Sequence, residues 1–111
     1  MSKPPDLVQG TLDLLILKIV ALEPLNGHAI GLRLKQVSKE ALAVSDGSLY
    51  PALHKLEQQG WLTATWQTTG NNRRAKVYAV SRAGRAKLAR DMNEWARLSG
   101  AIAHVLGLGR V

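Results

Sequence analysis

The sequence lacks cysteine and phenylalanine, and it has only three tryptophans and two tyrosines in 111 residues. Without cysteine there can be no disulfide framework and no cysteine-ligated zinc site, which is compatible with a reducing compartment. With few aromatics, Leu, Ala, Val and Ile must form the core, and that composition favours helices. The longest apolar run, Leu14 to Leu22, is interrupted by Lys18 and is too short to span a bilayer. Since the N-terminal residues also show no secretory signal, we expect one cytoplasmic domain.

Acidic residues are scarce in the second half of the chain. From Met1 to Gly60, six basic residues are balanced by six acidic ones, whereas from Trp61 onward nine basic residues face only Asp91 and Glu94. The whole net charge of +7 therefore lies in the second half. A concentrated basic region can neutralise phosphates and release counterions, so it indicates nucleic acid or an anionic membrane surface as the partner. Charge alone leaves a solvated basic face open as the alternative.

Hydrophobic periodicity predicts two helices at the start of the chain. TLDLLILKIVALEP, from Thr11 to Pro24, is apolar on nearly every side and predicts a helix buried all round. It is preceded by an arm that contains Pro4 and Pro5 and is expected to be loose. After a turn at Leu25–Gly27, HAIGLRLKQVSKEA predicts a second helix. One face of this helix carries Ile30, Leu34 and Val37.

The stretch SDGSLYPALHKLEQQGWL predicts a third helix with a proline near its start. Ser45 is a good N-cap, and Gly60 lies where a helix should end. Pro51 lacks a donor N–H and crowds the carbonyl four residues earlier, which costs about 3 kcal/mol inside a helix. Either the helix begins late with Ser48 as its cap, or it begins after Ser45 and is distorted between Gly47 and Pro51. The second is compatible with Gly47, which adds no side chain to the crowding.

Beyond Gly60 the periodicity becomes strand-like and then helical again. WLTATWQ and KVYAV are strand-like runs separated by the polar, turn-forming TTGNNRRA, so they predict a β-hairpin with a basic tip. Ser81 can cap a final helix that is expected to fray after about Val105. A stripe of apolar residues on this helix needs a cover, and a helix of a second subunit is the natural one. The stripe consists of Leu88, Met92, Trp95, Ile102 and Val105.

The order of elements predicts a winged helix-turn-helix protein. We expect a mainly α fold with a two-stranded β wing and a long C-terminal dimerisation helix. Residues 1–80 would form the DNA-binding domain and residues 81–111 the dimerisation helix, together as one compact unit. In such proteins the third helix lies in the major groove with its N-terminal residues toward the base edges. The wing reaches a phosphate backbone or the neighbouring minor groove.

The sequence also resembles the PadR family of transcriptional regulators, from Leu7 to about Trp95. The matching motifs are GTLDLLILKIVAL, NGHAIGLRL, SDGSLYPALHKLEQQGWL and KVYAVSRAGRAKL. The combination of SLYPALHKLE with YAVSRAGR is specific, whereas a winged-helix pattern alone is a weak signal. The resemblance implies a dimeric, cytoplasmic bacterial repressor that acts on a pseudo-palindromic operator near the genes it controls. The single short C-terminal helix is similar to the smaller branch of the family. The resemblance also starts the third helix directly after Ser45, so we favour the second interpretation of Pro51.

The start of the third helix contains the first group of candidate DNA-contacting residues. By the resemblance, four residues face the DNA groove: Ser45, Gly47, Ser48 and Tyr50. Serine hydroxyls and free N-terminal amides suit phosphate oxygens, and tyrosine can add a hydrogen bond or an apolar contact. Ser45 has equal weight as a simple N-cap, because one side chain seldom does both. One turn later Lys55 is expected to contact a phosphate, and His54 is either a DNA contact or a solvated surface residue.

The wing contains the second and stronger group. Arg73, Arg74 and Lys76 are expected to contact DNA, because clustered cations at an exposed hairpin tip have little structural purpose of their own. A solvated tip is the alternative. Asn72 is a turn residue first, since asparagine tolerates left-handed backbone angles, and a DNA candidate second.

Trp95 has two candidate roles. An aromatic residue on an apolar stripe usually packs in a core or an interface. The family resemblance also allows Trp95 to provide a stacking surface for a flat, apolar small-molecule effector in a cavity between two subunits. An effector that favoured one spacing of the wings would shift the population and release DNA.

Other classes of function find less support in the sequence. His28, His54 and His104 do not have the spacing of metal ligands, and neither a nucleophile set nor a phosphate-binding loop stands out. We therefore expect no enzymatic activity, metal or cofactor. A membrane-surface role would need apolar anchors beside the basic residues, and the hairpin tip has none. The remaining alternative is a winged-helix module that binds protein without binding an operator.

Overall fold

The computed structural model describes residues 9–68 and 70–108. Along the chain the elements are α1 (Gln9–Leu22), β1 (Leu25–Asn26), α2 (Gly27–Val37), α3 (Asp46–Gln58), β2 (Leu62–Thr68), β3 (Arg74–Val80) and α4 (Arg82–Val105). This order confirms the winged helix-turn-helix fold that the sequence predicted. The expected N-terminal arm with Pro4 and Pro5 lies outside the described residues.

The sheet has three antiparallel strands in the order β1-β3-β2, one more than the two-stranded wing that was predicted. β2 and β3 pair along all seven residues of each strand and form the expected hairpin. β1 replaces the predicted turn, with Leu25 opposite Tyr78 and Asn26 opposite Val77. Asn26 also caps α2, since its side chain accepts the N–H of Ala29 at 2.8 Å. The extra strand thereby fixes the start of α2 against the base of the wing.

α2 ends at Val37, four residues earlier than predicted. Lys39 and Glu40 have φ angles of 56° and 69°. The N–H of Glu40 donates to the carbonyl of Lys35 at 2.8 Å, and the N–H of Lys39 donates to the carbonyl of Gln36 at 3.0 Å. In this Schellman arrangement the left-handed position is usually a glycine. Here it is Lys39, so the sequence lacks the usual signal for the end of a helix. Val37, expected on the buried face, is instead 64% exposed.

α3 begins directly after Ser45, as the favoured interpretation of its proline predicted. The Ser45 side chain accepts the N–H of Ser48 at 3.2 Å. Pro51 is the sixth residue of α3, and the helix is continuous through it. The hydrogen bond that Pro51 cannot make would have ended on the carbonyl of Gly47, in an exposed first turn where water can take its place.

The core is built around α1, which contacts α2, α3, α4 and β3. Its members are almost all aliphatic, and Tyr78 is the one buried aromatic residue among those described. The most deeply buried large side chains come from three helices and the first strand of the wing: Ile16, Leu17, Val20, Ile30, Leu49, Leu53, Leu56 and Leu62. α3 therefore presents its leucine face to the core and its opposite face to solvent. None of the described helices combines the length and the apolar character needed to cross a membrane.

Candidate nucleic-acid interface

Ser45 and Ser48 form a local hydrogen-bonded unit at the start of α3. The Ser45 hydroxyl accepts the backbone N–H of Ser48 at 3.2 Å and donates to the Ser48 hydroxyl at 3.3 Å. Ser45 therefore serves as the helix cap, the alternative that the sequence left open. Gly47 is exposed and has no side chain that could cover the free amides of the first turn. This end of α3 offers backbone donors and the positive end of the helix dipole to an anion.

Tyr50 lies next to the wing. Its side chain is 44% exposed, and it borders a groove of about 390 Å³ between α3 and the wing. Trp66 of β2 and Lys76 of β3 also line this groove. The fold thus brings together the two regions that were predicted separately as DNA contacts. His54 is exposed one turn further along α3.

Lys55 points in a different direction from the predicted DNA contacts. Its Nζ lies 2.6 Å from Oδ2 of Asp13, whose side chain on α1 is only 9% exposed. Lys55 therefore neutralises a buried carboxylate and joins α3 to α1. This geometry does not support the phosphate contact that was expected of Lys55.

The tip of the wing exposes its arginines, as the sequence predicted. Arg73 and Arg74 are both exposed, and the Arg74 guanidinium lies 4.9 Å from the centre of the Trp66 ring. That distance is typical of a cation–π contact, which limits the orientations of the guanidinium. Asn72 has a φ of 60°, as expected of a turn residue.

Trp66 was not among the predicted site residues, although it is 57% exposed. In the strand alternation it follows Leu62 and Ala64, of which Leu62 is buried, but β2 extends beyond the core at Trp66.

Lys76 lies within β3, opposite Trp66 of β2, and its side chain is paired. Its Nζ is 2.9 Å from Oε1 of Glu57 on α3 and 5.5 Å from the centre of the Tyr78 ring. The interaction with the Glu57 carboxylate raises the pKa of Lys76, although desolvation opposes this. Burial raises the pKa of Tyr78. Lys76 therefore links the wing to α3, and a phosphate contact would have to compete with Glu57.

The predicted apolar stripe on α4 is divided by the structure. Leu88 is 8% exposed and packs in the core of its own chain, which leaves little of its side chain for the predicted dimer interface. The stripe also contains Leu98, which is 50% exposed and was missed although it lies three residues after Trp95. The remaining predicted members are exposed: Met92, Trp95, Ile102 and Val105.

Trp95 borders a second cavity, of about 490 Å³, between α1 and α4. Its lining is mostly apolar and includes Leu14, Leu15 and Met92, with Lys18 as its charged member. Such a lining suits an apolar molecule. Among residues 9–68 and 70–108, no group of three or more His, Cys, Asp or Glu is placed to hold a metal ion.

Comparison with known proteins identifies the family. The sequence profile of the Transcriptional regulator PadR-like family matches residues 16–90. The chain is 38% identical over 79 residues to Transcriptional regulator Rv3488 of Mycobacterium tuberculosis, which covers 68% of this chain and 73% of that protein. Its structure is similar to that of smu.1704 from Streptococcus mutans, with a TM-score of 0.77 and 27% identity over 98% of this chain and 99% of that one.

A solved complex with DNA shares the fold. Bacillus subtilis PadR, whose structure was determined with operator DNA, has a TM-score of 0.66 and 24% identity over 72% of this chain and 45% of that one. The matching family is one of transcriptional regulators. The family profile, together with the identity to the mycobacterial regulator, confirms the class of function predicted from the sequence. The chain belongs to the PadR-like family of transcriptional regulators.

Proposed function

We propose that this protein is a homodimeric repressor that binds a pseudo-palindromic operator. The start of α3 enters the major groove, and the wing contacts the backbone or the minor groove beside it. The observation that carries this proposal is that Tyr50 and Trp66 line one groove, with Arg74 against Trp66. We infer that one strand of the DNA backbone lies along this groove, between α3 and the wing. Repression and action in the cytoplasm are inferred from the family resemblance.

The contacts divide into two kinds. The α3 residues Gly47, Ser48 and Tyr50 face bases and the nearest phosphates, while Ser45 acts through the helix cap that it forms. Asn72, Arg73 and Arg74 contact the backbone from the wing tip. Lys55 and Lys76 stabilise the arrangement through their carboxylate partners. His54 is a peripheral contact at the edge of the α3 surface.

Dimerisation is assigned to α4. Met92, Trp95, Leu98 and Ile102 lie three or four residues apart and are each between 44% and 50% exposed. A helix with such a stripe is stabilised when a second helix covers it. The cavity beside Trp95 would then lie close to the subunit boundary, where a flat apolar effector could change the spacing of the two wings.

Selection of bound fragments from a random duplex library tests operator binding and symmetry together. The expected product contains two inverted half-sites whose centres are separated by about 34 Å, one turn of DNA. If about six phosphates are contacted, log affinity falls with log salt at a slope near −5. Failure to enrich any sequence, combined with salt-insensitive binding to a protein partner, would instead support the protein-interaction module.

The wing is tested by the double substitution Arg73→Ala and Arg74→Ala. Loss of two phosphate contacts should weaken binding to all duplexes and make the salt slope shallower by about 2. Arg97→Ala is the matched control, because Arg97 is an exposed arginine on α4 that is paired with Glu94. Unchanged affinity in the double variant would remove the wing from the mechanism.

A further inference from the structure

Gly27, the first residue of α2, is buried where a side chain would not fit. A β-carbon at this position would lie 2.6 Å from Cε1 of Tyr50 and 3.0 Å from both Cζ and Oη of Tyr50. The backbone of Gly27 is helical, and its φ is not among the positive values found in the described chain, so the conformation itself does not require glycine. The absence of a side chain is therefore matched to the close approach of the Tyr50 ring.

The Tyr50 ring is held on one side and open on the other. One edge lies against the backbone of α2 at Gly27, while the ring also borders the groove that Trp66 lines. Tyr50 is the fifth residue of α3 and is 44% exposed, so it can rotate without disturbing the core. A methyl group at position 27 would push the ring and its hydroxyl toward the open groove. The expected result is a displaced Tyr50 in a folded protein.

We propose that Gly27 is a positioning residue for DNA recognition, which acts by leaving room for the Tyr50 ring against the start of α2. The room at Gly27 determines where the Tyr50 hydroxyl meets the DNA. This inference rests on the proposed role of α3 in binding an operator. Gly27 of α2 would thus influence which DNA sequence is bound although it does not itself contact a base.

The test compares Gly27→Ala with Gly31→Ala. Gly31 is a matched control in the same helix, because its added β-carbon would lie 3.4 Å from Cδ2 of Leu49, which a small shift accommodates. We measure affinity for the selected operator and for a random duplex at the same salt concentration. Gly27→Ala should lose about tenfold in operator affinity, the scale of one specific contact, with random-duplex affinity and the salt slope unchanged. Gly31→Ala should leave both affinities unchanged.

A double-mutant cycle with Tyr50→Ala separates positioning from any independent effect of Gly27. Once the ring is gone, the added methyl meets no clash, so Gly27→Ala should cause no further loss of operator affinity. A tenfold loss that persists in the Tyr50→Ala background overturns the proposal, as does a single Gly27→Ala variant with wild-type operator affinity. If Gly27→Ala lowers the melting temperature of the wild type, it should not lower that of Tyr50→Ala, and an equal fall in both backgrounds also overturns the proposal.

Measurements on the free protein distinguish failure of this inference from failure of the proposed function. The ring resonances of Tyr50 in NMR spectra should shift in Gly27→Ala and not in Gly31→Ala. Resonances that do not move overturn the positioning role, whatever the protein binds. Resonances that move in a protein whose wild-type form selects no DNA sequence overturn the proposed function, and the recognition role with it.

Discussion

Replacing Lys55 by methionine tests whether this cation serves the fold or the DNA. Lys55 Nζ lies 2.6 Å from the Asp13 carboxylate, and the two side chains are 37% and 9% exposed respectively. Methionine keeps most of the alkyl chain that packs between α3 and α1, but it removes the charge. The variant therefore leaves a buried carboxylate without this cation, and the packing of the two helices is otherwise little changed.

The expected cost lies between those of buried and exposed ion pairs. Breaking a fully buried pair costs about 3–5 kcal/mol, whereas an exposed pair contributes less than about 1 kcal/mol. Because Asp13 is buried and Lys55 is partly hydrated, we expect Lys55→Met to lower the free energy of unfolding by about 2 kcal/mol. In a domain of this size that corresponds to a fall in melting temperature of about 10 °C. Asp13→Asn should cost only about 1 kcal/mol, since the ammonium that remains can reach water.

The assay combines thermal unfolding with the salt dependence of DNA binding. All variants are compared at one protein concentration, because association makes the melting temperature depend on concentration. Lys55→Met should lose stability while its salt slope stays equal to that of the wild type. A phosphate-contacting lysine would show the opposite, since its loss makes the slope shallower by about 0.9. A shallower slope with an unchanged melting temperature would refute the assignment of Lys55 to Asp13.

Three further predictions follow from the packing and charge of other elements. Gly84→Ala should lower the free energy of unfolding by more than about 3 kcal/mol, because the added β-carbon would lie 2.1 Å from the backbone oxygen of Trp61. Gly100→Ala is the control on the same helix: its added β-carbon would have no neighbour within 4 Å, so it should stabilise the protein by up to about 1 kcal/mol. Equal melting temperatures of Gly84→Ala and Gly100→Ala would contradict this prediction. Glu57→Gln should lower the melting temperature at neutral pH. Because the pair raises the pKa of Lys76 above its ordinary 10.5, its stabilisation is complete below that pH and disappears as pH rises through the raised value. A wild-type advantage that stays constant in an alkaline melting series would disagree. Trp95→Glu should give a monomer by sedimentation, whereas Asn93→Glu on the same helix should remain dimeric; a dimeric Trp95→Glu would remove Trp95 from the interface.

The features predicted correctly from the sequence are mostly local. Ser45 and Ser81 cap the helices that follow them, and each accepts an N–H three residues later. Gly60 ends α3 with a φ of 82°, and the alternating residues after it form the hairpin. Interactions of this kind depend on neighbours within one turn or along one strand. Residue identity and spacing therefore suffice to predict them.

The end of α2 shows how a local feature can still be missed. Lys39 occupies the left-handed position where glycine is usual, so the helix stops without its common signal. β1 was missed for a different reason. Two residues have no detectable alternation, and Leu25 and Asn26 become a strand only because β3 lies beside them.

The sequence by itself determined that this chain forms a mainly helical winged fold with a basic hairpin and an apolar final helix. It could not determine which groups meet across the fold. Asp13 and Lys55 are 42 positions apart, so a lysine predicted to bind phosphate proved to neutralise a buried carboxylate. Leu88 likewise belongs to the core of its own chain, although its spacing matched the interface stripe. The sequence gives the charge and size of each side chain. Its partner is determined by tertiary packing, because only the folded chain brings distant groups within contact distance.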